Sequence, residues 1–372
     1  MAGNRRMVLN KPMNRRDFMK LSATTAAVLG LSTAVVPDLC QAFAKKEKPA
    51  VIWLHFQECT GCTESLLRST EPDVADLILN IISLEYHETL FAASGHQIED
   101  NLVRAMERYR NKYVLVVEGS IPTKAGGNYC TISGQTAASI LKKTATNAAA
   151  IIAIGSCAAW GGIPSAGPNP TGAQGVLTTL NAMQIEKPVI NVPGCPPNPH
   201  NFLSTVVHYL MYGVPTLDSQ NRPKFAYGTL IHDQCERRAH FDSGRFANAF
   251  GDEGHRKGYC LYKLGCKGPS TYGNCPEQGF NAEKRWPVSI GHPCFGCIEK
   301  GVGFTKPLFE VSDMVTTATP PQVYPRPVEP GNKKISPLAT GIAGAVLGSV
   351  VTAVATKTIS LKNSEDDTHE DD

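Results

Sequence analysis

The placement of cysteine constrains this 372-residue chain more than any other feature: eleven of its twelve cysteines lie beyond residue 44. Ten of these eleven, with one histidine, sort into three sets spaced for metal clusters. Cys59 and Cys62 open one set, which Cys157 and Cys195 complete. His232, Cys235, Cys260 and Cys266 form a second, and Cys275, Cys294 and Cys297 form a third that is one thiolate short. A chain with three such sets and no evident substrate site is built to move electrons. Disulfides are the commoner use of cysteine in exported chains, but they staple small domains that cannot bury a core. This chain is long enough for two domains with cores of their own. Cys130, outside all three sets, is expected to be a buried thiol acting as a small hydrophobe. The net charge of +3 gives no basic surface of the kind that binds nucleic acid.

Both ends read as addresses. Asn14-Arg15-Arg16-Asp17-Phe18-Met19-Lys20 is a twin-arginine sequence before an apolar run, and Ala42-Phe43-Ala44 supplies a small-x-small cleavage site. Residues 1–44 are therefore expected to be a twin-arginine signal peptide, taking Cys40 with it. That pathway exports folded proteins, which suits clusters inserted before export. Near the other end, residues 335–356 are rich in Ala, Gly, Val and Leu and carry no charge. A transmembrane helix needs roughly 20 such residues, and the many small ones favour packing on another helix. The expected order is a Pro-rich linker at 319–334, the anchor at 335–356 and an acidic cytoplasmic tail at 357–372.

Between these ends the chain changes character once. Val51-Ile52-Trp53-Leu54, Ile81-Ile82-Ser83-Leu84, Tyr113-Val114-Leu115-Val116-Val117, Ala150-Ile151-Ile152-Ala153-Ile154 and Pro188-Val189-Ile190-Asn191-Val192 read as buried strands. Helical patterns such as 99–110 and 137–149 separate them. Alternation of this kind predicts an α/β domain over 45–226 with a doubly wound parallel sheet, whose ligands gather at the carboxyl ends of strands. Cys59/Cys62, Cys157 and Cys195 each follow a predicted strand within a few residues, so they converge on one sheet edge. From 227 to 318, Gly, Pro and Cys dominate and periodicity vanishes. This loop-rich segment carries the other two sets and is expected to depend on them for order.

Structural zinc uses similar ligands, and Cys59-Thr60-Gly61-Cys62 alone is compatible with it. Three observations favour iron–sulfur clusters. The first set is scattered over a sheet edge, the three-cysteine set suits a cube lacking one iron, and repeated sites serve no structural need beside a real core. His232 in place of a thiolate removes a negative charge and offers an outer ring nitrogen. A dinuclear nickel site between the pairs Cys59/Cys62 and Cys294/Cys297 is the competing arrangement, but both pairs already have further partners.

Cys59-Thr60-Gly61-Cys62-Thr63-Glu64-Ser65, Glu118-Gly119-Ser120-Ile121-Pro122, Gly155-Ser156-Cys157, Pro193-Gly194-Cys195-Pro196-Pro197-Asn198-Pro199, His232-x-x-Cys235 and His292-Pro293-Cys294-x-x-Cys297 together resemble the small subunit of membrane-bound uptake nickel–iron hydrogenases. The resemblance covers nearly the whole chain, both ends included. It implies a flavodoxin-like fold and a proximal 4Fe–4S cluster on Cys59, Cys62, Cys157 and Cys195, beside a nickel–iron centre on a separate large subunit. It implies a medial 3Fe–4S cluster on Cys275, Cys294 and Cys297, with Pro287 at the fourth-ligand position, and a distal 4Fe–4S cluster on His232, Cys235, Cys260 and Cys266. No catalytic residue is expected in this chain beyond an accessory role for Glu64, for which capping or a salt bridge is the plain alternative. Gly61 and Gly162 stand where oxygen-tolerant relatives carry extra cysteines, which implies an oxygen-sensitive enzyme. The implied partners are the large subunit, with pairing of heterodimers, and an integral quinone-reactive or cytochrome b protein at the periplasmic face of the inner membrane. A membrane-tethered iron–sulfur subunit of a different quinone-linked oxidoreductase is the alternative, and a zinc-stapled binding protein a third.

Overall fold

Four apolar runs, buried along their whole length, and one mixed, half-buried strand pair into one parallel sheet. In the computed structural model, which describes residues 48–69, 73–280 and 285–312, β1 (Ala50–His55), β2 (Ser83–His87), β3 (Val114–Glu118), β4 (Ala150–Ile154) and β5 (Val189–Val192) lie in the order β2-β1-β3-β4-β5. Every pairing is parallel. This is the flavodoxin-like doubly wound order, with its switch point between β1 and β3.

Alternate residues of the strands feed two separate cores. Ile52, Leu54, Leu115, Val117, Ile151 and Ala153 pack on one face beneath α2 (His96–Arg108), α3 (Ala137–Ala145) and α5 (Val176–Ala182). Val51, Trp53, Val114, Val116, Ile152 and Ile190 pack on the other against α1 (Gly61–Leu67) and α6 (Pro199–Tyr212). The short helix α4 (Gly155–Trp160) starts directly at the end of β4. Leu115 has no exposed surface, so Leu115→Ala would leave a cavity costing about 2–5 kcal/mol.

The second apolar run differs from its expected form. Leu77–Ile81 closes a π-helical turn and the strand begins only at Ser83. Leu77 and Ile81 are nevertheless buried in the core, and a short apolar run does not by itself distinguish a strand from a buried helical turn.

The loop-rich half contains, among the described residues, no helix longer than five residues. It is nonetheless anchored by more than its cysteines. Ile231, Leu261, Leu264, Trp286, Val288 and Ile298 join the same core as α6 and the sheet. Asn198 caps α6 by accepting the His200 N–H at 2.8 Å and donates to the carbonyls of Gln278 and Gly279. Asn201 and Asn274 exchange amide hydrogen bonds at 2.8 and 3.0 Å.

The chain divides into a unit over Met1–Thr319 and another over Pro320–Asp372, and all described residues belong to the first. The expected leader (1–44), linker (319–334), anchor (335–356) and tail (357–372) lie outside the described residues. Among the described residues no helix is long and apolar enough to cross a membrane.

Candidate metal centres

The first site forms where the carboxyl ends of β1, β4 and β5 meet. Cys59 and Cys62 flank the turn into α1, Cys157 lies in the first turn of α4, and Cys195 follows β5. Burial pushes the Cys62 thiol well up, and the neighbouring Glu118, Cys157, Cys195 and Cys59 all add to the shift. The Cys157 thiol is likewise pushed up to about 12 by burial and then by Cys195. The backbone makes room for them. Gly155 adopts φ +82°, and a Cβ there would fall 2.4 Å from the Cys62 sulfur. A Cβ on Gly162, at φ +52°, would fall 2.6 Å from the Cys157 sulfur, and one on Gly61 would fall 3.0 Å from that of Cys59. Cys59 itself is exposed.

Behind this edge lies a buried polar network. His55 and Glu118 are register partners at the ends of β1 and β3. The Glu118 carboxylate accepts the Cys62 N–H at 3.0 Å, the Thr63 N–H at 3.3 Å, the Thr63 hydroxyl at 2.6 Å and the Trp53 indole N–H at 3.2 Å. Burial works to raise its pKa, but hydrogen bonds from His55 and Thr63 outweigh it and hold the carboxyl below the usual range. The His87 Nδ1 accepts the Thr89 and Leu90 N–H groups at 3.3 Å, so its proton sits on Nε2, 3.4 Å from the Thr63 hydroxyl.

The other two sets each line a cavity. Cys275, Cys294 and Cys297, with Pro287, Phe295 and Trp286, border about 240 Å³ of space. Burial pushes Cys275 up to about 12 and Cys294 and Cys297 well above the usual thiol range. His232, Cys235, Cys260 and Cys266 border a second space of about 340 Å³. His232 is 5% exposed, its ring meets Phe241 edge-on at 4.4 Å, and its Nε2 has no hydrogen-bond partner. Burial, and then Arg238, lowers its pKa, so the ring is a neutral donor.

These sites form a row. The Ser156 hydroxyl donates to the Cys297 carbonyl, joining the sheet-edge site to the middle one. The N–H of Lys267, the residue after Cys266, donates to the Cys294 carbonyl at 2.6 Å, joining the middle site to that of His232.

The donor chemistry fits iron–sulfur clusters. All eleven cysteines among the described residues are free thiols. Burial favours their neutral form unless a cation compensates, which is what metal ligation supplies. The donors of the second and third sets each border open space, which suits a many-atom cluster.

Two expected residues stand differently. Glu64 points away into a surface ion pair with Arg68 at 2.9 Å, both half exposed, an interaction worth little. Cys130 is half-buried rather than buried, and packs at the margin of the α2–α3 core. The carboxylate that serves the edge site is Glu118. In the sequence it opens the Glu118-Gly119-Ser120-Ile121-Pro122 segment at the end of an apolar strand, with nothing to mark its role; the pairing β1–β3 sets it beside His55.

Comparison with known proteins divides at the same point as the chain's character. Residues 59–209 match the family model described as NADH ubiquinone oxidoreductase, 20 Kd subunit, and residues 227–310 match the C-terminal family model of the NiFe/NiFeSe hydrogenase small subunit. The chain is 51% identical over 370 residues to the hydrogenase-2 small chain of Escherichia coli K12, covering 98% of each. It is 49% identical over 307 residues to the quinone-reactive Ni/Fe-hydrogenase small chain of Wolinella succinogenes, covering 82% of this chain and 85% of that one. Among solved structures, the [NiFeSe] hydrogenase from Desulfovibrio vulgaris Hildenborough superposes with a TM-score of 0.65 at 39% identity, over 69% of this chain and 95% of that one.

Proposed function

The chain belongs to the small-subunit family of nickel–iron hydrogenases, pairing with a large subunit in a heteromeric enzyme, and from that premise we propose that it carries electrons from hydrogen oxidation to a membrane acceptor. Cys59, Cys62, Cys157 and Cys195 would hold a proximal 4Fe–4S cluster. Cys275, Cys294 and Cys297 would hold a medial 3Fe–4S cluster with Pro287 at its open corner, and His232, Cys235, Cys260 and Cys266 a distal 4Fe–4S cluster. When bound, such clusters supply one-electron carriers whose potentials follow ligand charge, hydrogen bonding and exposure.

The chain's own residues do the rest. Glu118 fixes the Cys59–Cys62 turn through the Cys62 and Thr63 N–H groups. The Ser156 hydroxyl holds the Cys297 carbonyl and the Gly194 N–H together at the edge site. Burial of Cys275, Cys294 and Cys297 keeps water from the middle position. Exposed Cys59 leaves the edge site at a surface that the large subunit would cover. Gly61 and Gly162, lying against donor sulfurs, favour an ordinary, oxygen-sensitive enzyme.

The observation that carries this reading is the row itself: three donor sets in succession, the middle one hydrogen-bonded through its carbonyls to residues adjoining donors of both others. A carrier for another quinone-linked oxidoreductase would account for residues 59–209 but not for 227–310. The proposal extends to twin-arginine export, a C-terminal anchor and a quinone-reactive or cytochrome b partner at the periplasmic face of the membrane. Purification from membranes should bring down a larger, nickel-bearing chain, with iron, acid-labile sulfide and a three-iron paramagnetic signal on this one. A colourless chain, or one whose thiols carry zinc, would refute it.

A further inference from the structure

Lys267 exposes none of its surface, and among the described residues no carboxylate pairs with it. Its ammonium instead donates to the carbonyl oxygens of Pro307 at 2.7 Å and Leu308 at 3.1 Å, with those of Gly265 and Glu310 at 3.4 Å. Four acceptors around one nitrogen suit the three protons of an ammonium, whereas a neutral amine would aim its lone pair at a carbonyl. Lys267 also touches two donor sets. It follows Cys266 directly, its backbone N–H donates to the Cys294 carbonyl at 2.6 Å, and its Cβ lies 3.4 Å from where a side chain on Gly296 would begin. Burial works to lower the Lys267 pKa, with Lys306 in the same direction, while Cys294, the exposed Glu310 and Cys266 act against it.

A buried charge needs compensation. Carbonyl dipoles supply part of it here, and thiolate-ligated metal groups, negative overall, would supply the remainder. We propose that Lys267 is a fixed positive charge shared by the medial and distal sites, raising the reduction potential of the groups held there. The inference rests on the iron–sulfur assignment given above. Adding an electron makes each site more negative, and a buried cation stabilises that state with little screening from salt. Lys267 is thus a positioning residue for charge; it ligates nothing.

The test is a redox titration of the purified heteromeric enzyme, followed by low-temperature paramagnetic resonance. Lys267→Met should lower the midpoint of at least one of the two sites by enough to change its reduced-to-oxidised ratio about tenfold, which is about 59 mV for one electron. Lys267→Gln, which keeps N–H donors for the carbonyl cage but loses the charge, should do the same. Unchanged midpoints in either variant, with iron content and line shape retained, overturn the inference. Should neither neutral variant retain iron, Lys267→Arg decides. Restored iron with wild-type midpoints supports the charge, and loss of iron there too assigns Lys267 a purely packing role. A wild-type enzyme lacking iron–sulfur signals is a separate result, which would overturn the assignment beneath.

Discussion

The Ser156 hydroxyl donates to the Cys297 carbonyl oxygen while accepting the Gly194 N–H at 3.1 Å. One small side chain beside Cys157 thereby fastens the loop of Cys195 and the loop of Cys297 to the end of β4. Ser156→Ala leaves a buried acceptor and a buried donor unpaired, an expected loss of about 1–3 kcal/mol. Thermal unfolding of the purified complex would report it as a lowered midpoint. An unmoved midpoint would mean that the two loops are held by other contacts.

Pro287 borders the same cavity as Cys275, Cys294 and Cys297. Pro287→Cys places a fourth thiolate there, so the three-iron paramagnetic signal should give way to a four-iron one with a lower potential. An unaltered spectrum in fully loaded protein would argue against this corner as the open one.

His232→Ala removes a neutral donor from the cavity it shares with Cys235, Cys260 and Cys266 without touching the other two donor sets. Hydrogen-dependent dye or quinone reduction should fall severalfold, while hydrogen–deuterium exchange at the large subunit persists. Equal loss of both, in intact protein, would count against His232 as the exit donor.

Stability should depend on pH through His87. Burial and then His55 push its imidazole from 6.5 down to about 3. Between those values the unfolded chain binds a proton that the folded chain refuses. The contribution is therefore fully present above pH 6.5 and declines as the pH falls toward 3, by about 1.4 kcal/mol per pH unit. Glu118, held below the usual carboxylate range, extends the loss in the same direction at lower pH. Thermal midpoints at pH 7.5, 6 and 5 should show the slope, and His87→Gln should flatten it.

Much of this arrangement is legible in the sequence, for physical reasons. Strands buried on both faces read as unbroken apolar runs, so four of the five are found within a residue or so; the fifth, Ser83–His87, is half-buried and mixed in composition, and the apolar run before it closes a π-helical turn instead. Sulfur ligands announce themselves by spacing and by their position after strands. Glu118 and Lys267 are not legible in that way. A glutamate at a strand end and a lysine between Cys266 and Gly268 both read as solvated charges. Glu118 is buried by a register partner in another strand, and Lys267 by carbonyls some 40 residues along the chain.

Cys59 lies open at the sheet edge, whereas Cys275, Cys294 and Cys297 are shut inside. On the iron–sulfur assignment proposed above, a group held by the three enclosed cysteines would have to enter before the second half of the polypeptide wraps around them, whereas one at the sheet edge could be added to a finished scaffold.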